Sequence, residues 1–101
     1  MSVTVATLET PRADLIPIAE LFAGDEMPSG LGEDDVRAFV RGRLVVVEAR
    51  RGWQGEHPAW LRVAYWRPRR FREGLTPANP QHPQFSRAWT LPYAERAWAA
   101  R

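Results

Sequence analysis

The chain has 101 residues, 45% of them apolar, with eleven aromatics and no cysteine. At this size one hydrophobic core forms and two do not, and the aromatic content argues against disorder. No apolar run approaches the ~20 residues that span a bilayer, the start MSVTVATLET lacks the basic and apolar regions of a secretory signal, and the missing cysteines exclude disulfide frameworks, cysteine–zinc sites and thiol catalysis. The expectation is a single domain over 1–101, cytoplasmic and away from membranes.

The formal net charge of +2 hides a division along the chain. Residues 1–36 carry eight acids against Arg12, a charge of −7. Residues 37–72 carry ten arginines against Glu48 and Glu56, a charge of +8, and residues 73–101 add +1. All fourteen basic residues are arginine. That uniformity fits a high-GC coding sequence, since arginine and lysine are interchangeable at most solvated positions. The clustering is more informative: a basic segment of this kind either attracts an anionic partner or folds against the acidic third of its own chain.

In chain order, SVTVATLE at 2–9 is β-branched and loosely alternating, as in a strand. A short helix is predicted near 17–23, starting at Pro17 because proline inside a helix removes a hydrogen bond. DEMPSGLG at 25–32 reads as loop. EDDVRAFVRG predicts a helix over 33–41, with acids in its first turn, Val36, Phe39 and Val40 on one face, and Gly42 as its stop. RLVVVEAR at 43–50 and WLRVAYW at 60–66 predict an antiparallel pair joined by a loop over 51–59. Beyond Arg72, the spacing of Pro77, Pro80 and Pro83 predicts a polyproline-prone wrapping loop or docking peptide. A closing helix over 92–101 is capped by Thr90 and apolar at Tyr93, Ala94, Ala97 and Trp98. The fold class expected is a small α+β domain, a three-stranded antiparallel sheet with about three short helices.

Strict alternation on 60–66 puts Leu61, Val63 and Tyr65 on a core face and Trp60, Arg62, Ala64 and Trp66 on the other. Aromatic rings on a sheet flanked by arginines are what single-strand binders use. The candidate contact residues are therefore Trp60, Arg62 and Trp66, with Arg67, Arg69, Arg70 and Arg72 just beyond, Arg50 at the end of the neighbouring strand and Arg51 at the start of the loop. Buried tryptophans are the competing reading, because tryptophan is highly buried on average. A winged-helix plan, with 33–41 as recognition helix and 51–59 as wing, meets the objection that Glu33, Asp34 and Asp35 would lead into phosphates.

No catalytic, metal or cofactor site is expected. His57 and His82 stand in loops without acids at ligand spacing, and Ser86 near His82 has no oriented acid or glycine-rich elbow. A small ribonuclease using His57 or His82 with Arg69 or Arg70 is the enzymatic alternative. Glu33, Asp34 and Asp35 are explained by helix capping. The function expected is non-catalytic binding of nucleic acid, single-stranded and weakly sequence-selective, through 37–72. The alternative is a protein–protein adaptor or inhibitor subunit that uses the acidic third or the proline-rich segment.

Overall fold

The computed structural model describes residues 16–78 and 87–101; the expected strand over 2–9, and Pro80, His82, Pro83 and Ser86, lie outside the described residues. Within them the chain runs through helix α1 (Ile18–Leu21), a 3₁₀ turn (Glu33–Asp35), strands β1 (Val36–Arg41), β2 (Leu44–Gln54), β3 (His57–Pro68) and β4 (Leu75–Pro77), a second 3₁₀ turn (Ala88–Thr90) and helix α2 (Leu91–Ala99). The strands form one antiparallel sheet in the order β1-β2-β3-β4. The α+β class expected from sequence is present, with four described strands and two α-helices in place of three and three.

The helix predicted over 33–41 is not formed. Glu33–Asp35 is a single 3₁₀ turn and Val36–Arg41 is a strand, so the winged-helix reading has no recognition helix. Two periods fit these six residues: Val36, Phe39 and Val40 at helical spacing, or Val36, Ala38 and Val40 alternating with Arg37, Phe39 and Arg41. Pairing with β2 selects the second, because it buries the alternating set against Ala49, Val47 and Val45. Gly42, which looks like a helix stop, opens the two-residue turn to β2 with φ 64°. Gly55, at φ 63°, plays the same part between β2 and β3. The loop predicted over 51–59 is consequently almost all strand.

The β2–β3 pair contains two bulges. Val47 faces Ala64 but Glu48 faces Arg62, which leaves Val63 as an extra residue in β3; Arg50 faces Trp60 but Gly52 faces Ala59, which leaves Arg51 extra in β2. The first bulge reverses the alternation within β3. Leu61, Val63, Ala64 and Trp66 all join the core, while Tyr65 turns to the opposite face with Trp60 and Arg62. The sequence expectation that Trp66 and Ala64 share a face with Trp60, and that Tyr65 belongs to the core, is corrected by this one inserted residue.

Both helices pack on the core face. Leu21 and Ala94 are fully buried with Val45, Val47 and Val63, and Tyr93, Ala97 and Trp98 lie against them as the helical spacing predicts. Trp66, 5% exposed, donates its indole N–H to Thr90 Oγ1 at 2.8 Å, and Thr90 donates in turn to the Arg87 carbonyl at 2.7 Å. A large ring is thereby buried with its polar atom satisfied. The proline-rich segment contributes more than a wrapping loop: Pro77 ends β4 opposite Trp66. A proline fits there because β4 lies at the edge of the sheet, and the next ladder bond comes from Ala78 N–H to the Tyr65 carbonyl at 2.9 Å.

Candidate nucleic-acid interface

The face turned away from the helices is organised by register into rows about 7 Å apart, two residues of strand each. One row holds Asp35, Arg50 and Trp60, the next Arg37, Glu48 and Arg62, the third Phe39, Val46 and Tyr65, and the last Arg41, Leu44, Arg67 and Thr76. Arginines and aromatics alternate across this surface.

Each of the first two rows is held by an acid of its own. Glu48, 7% exposed, accepts from Arg37 Nε at 2.7 Å through Oε1 and from Arg62 Nε at 3.3 Å through Oε2. Arg37 also lies over the Trp60 ring, 4.3 Å from its centroid. Arg62 reaches the Tyr65 hydroxyl at 3.4 Å, and this contact with that to Glu48 raises its pKa further, so it is a cation at every working pH. Asp35 Oδ1 accepts from Arg50 Nε at 2.9 Å and its Oδ2 from the Gly32 N–H at 2.8 Å. Burial alone would push the Asp35 carboxyl up, but the Gly32 and Arg50 contacts outweigh it and hold the pKa below its ordinary 3.8. Glu33 meets Arg96 at 3.5 Å. Of the three acids that the sequence explains as helix caps, Asp35 caps the 3₁₀ turn through the Gly32 N–H and also reaches Arg50 in the basic segment, while Glu33 reaches Arg96 on the last helix.

The last row is different. Arg43, Leu44, Arg67, Pro68, Arg69, Arg70 and Thr76 line a cleft of about 600 Å³, with four arginines and, among the described residues, no Asp or Glu in its lining. Arg69 is steadied by donating Nε–H to the Leu75 carbonyl at 3.5 Å. The β1–β2 turn brings Arg43 here beside the end of β3.

The expected contact residues thus divide. Arg67, Arg69 and Arg70 converge in the cleft, with Arg72 exposed on the adjoining loop. Trp60 and Arg62 sit in the acid-tied rows, Arg50 is paired with Asp35, Arg51 is the bulge residue, and Trp66 is in the core. The sequence pattern puts Phe39 on a helix face and Tyr65 in the core and marks neither Arg41 nor Arg43; reading Gly42-Arg43 as a hairpin turn places Phe39, Arg41 and Arg43 on or beside this face.

His57 opens β3 and Arg69 and Arg70 follow its end, so the histidine lies about 35 Å from the cleft by strand length. That separation gives the ribonuclease pairing of His57 with Arg69 or Arg70 no geometry. Among the described residues no three His, Asp or Glu side chains converge on a point, and no helix is long and apolar enough to cross a membrane. No family model matches the chain, and no curated protein or solved structure is significantly similar to it, which leaves the side chains themselves to indicate what this surface binds.

Proposed function

We propose that this is a small non-catalytic binding protein that holds a single strand of nucleic acid, with little sequence selectivity, on the outer face of its sheet. The cleft of Arg43, Arg67, Arg69 and Arg70 carries the reading. Four arginines on one cleft, with no described carboxylate in its lining, make a local excess of positive charge, and a partner that supplies closely spaced anions meets it through charge-assisted hydrogen bonds. One row away stand Phe39 and Tyr65, both half-buried, with Arg41 over the Phe39 ring, and stacking of bases on such rings tolerates any sequence. In the row beyond, Glu48 offsets one of the two charges of Arg37 and Arg62. A strand crossing the rows meets a strong cationic end, an aromatic step and a weaker cationic step.

The interface therefore differs from the one expected from sequence: Trp66 leaves it, and Arg43, Arg41, Phe39 and Tyr65 enter. Titration of labelled single-stranded DNA and RNA over a range of salt tests the reading. With four phosphate contacts the slope of log K against log salt is about −3, each contact on a single strand contributing roughly 0.7. No binding to either strand at low salt would overturn the proposal and shift attention to a protein partner.

A further inference from the structure

One large apolar side chain beside the cleft has no part in the fold. Phe71 is 91% exposed, whereas the next most exposed, Ile18 and Trp53, reach 47% and 43%. It stands at the tip of the loop between β3 and β4, among Arg70, Arg72 and Glu73. The base of that loop is closed by the Arg69 N–H donating to the Gly74 carbonyl at 3.0 Å. Gly74 has φ 106°, a conformation that residues with side chains seldom adopt, and it turns the chain back into β4. The Arg70 guanidinium, which lines the cleft, lies 6.0 Å from the Phe71 ring centroid. A short, pinned loop thus holds an apolar ring in water next to the cationic cleft, forgoing the transfer free energy that burial would give.

We infer that Phe71 is a base-stacking residue: while phosphates seat among Arg43, Arg67, Arg69 and Arg70, its ring lies on a neighbouring base. The inference rests on the nucleic-acid reading above and names the chemistry it adds, recognition of an unpaired base with a free face. An anionic lipid surface would also take an exposed ring flanked by cations. It is flat, however, and meets only the loop tip, whereas these guanidinium groups line a concavity shared with Arg43 from the other hairpin and Thr76 from β4. A single ring also supplies little area for stable anchoring in a bilayer.

The test compares wild type, Phe71→Ala and Phe71→Tyr on three probes: a single strand of about twelve nucleotides, the same backbone made abasic, and vesicles of anionic phospholipid. Wild type should bind the strand with bases roughly five- to a hundredfold more tightly than the abasic one. Phe71→Ala should narrow that margin several-fold, the remainder coming from Phe39 and Tyr65, with its salt slope and melting temperature unchanged, and Phe71→Tyr should keep it whole. Equal binding of both strands by wild type, an unaffected Phe71→Ala, or a Phe71→Tyr as weak as the alanine variant would each overturn the stacking role and leave the cleft as a phosphate site. Vesicle binding that Phe71→Ala abolishes while strand binding is untouched would overturn it in favour of a lipid surface. If wild type bound neither strand, the underlying reading would fall with it.

Discussion

The two faces of this sheet are made by the same strands and differ in how their polar atoms are satisfied. On the inner face, the Trp66 indole N–H finds Thr90, whereas the buried Trp89 indole N–H has no partner among the described residues, and most of what surrounds them is aliphatic or aromatic. On the outer face, satisfaction is uneven. Glu48 and Asp35 serve Arg37, Arg62 and Arg50 at one end, and at the other end four arginines line a cleft with no carboxylate in its lining among the described residues. The lesson is that charge separated along a chain is not charge separated in space. Part of the acidic third folds back on the basic segment, and what matters for a partner is where that pairing stops.

The largest expected effect tests whether Trp66 and Trp60 really belong to different faces. Trp66→Ala should cost ~3–5 kcal/mol in a denaturant melt, a large part of the stability of a domain this size, whereas Trp60→Ala should cost clearly less. Equal costs would break the distinction between the faces. Glu48→Gln comes next, at about 1 kcal/mol, because Glu48 is buried but its partners are half-exposed and their attraction is screened. The same change removes a negative charge from the outer face, so strand binding at low salt should tighten even as the fold weakens, which a paired melt and titration would check.

Asp35→Asn sharpens the comparison through pH. The Asp35 carboxyl is depressed in the folded state, so its stabilisation is complete above its ordinary 3.8 and is lost as pH falls through the lower folded value. The variant should be less stable by on the order of 1 kcal/mol near neutrality, with the deficit closing in acid. A deficit independent of pH would show that the ion pair is not its source. Least of all should the cleft arginines matter to stability. Arg43→Ala and Arg67→Ala should each shift the melt by no more than ~0.5 kcal/mol while lowering the salt slope of strand binding by about 0.7.

Composition and local pattern were enough to determine the α+β class, the β2–β3 pairing, the inner set Val45, Val47 and Ala49, the apolar side of the last helix, and the exposure of Arg67, Arg69, Arg70 and Arg72. Each of these follows from period, turn residues or the cost of desolvating guanidinium groups, all of which act within a few residues. Three things were decided only by tertiary structure. Residues 36–41 fit both a helix and a strand, and the hydrogen-bonding edge of β2 chose the strand. Val63 is an apolar residue in an apolar alternation, and nothing in its neighbours reveals that pairing across β2 leaves it unmatched; yet that one residue sends Trp66 inward and Tyr65 outward. Arg43 is separated from Arg67 by more than twenty residues and shares a cleft with it because two hairpins lie side by side. Registers and bulges are settled by contacts distant in sequence, where burial of a whole face outweighs the preference of any single residue.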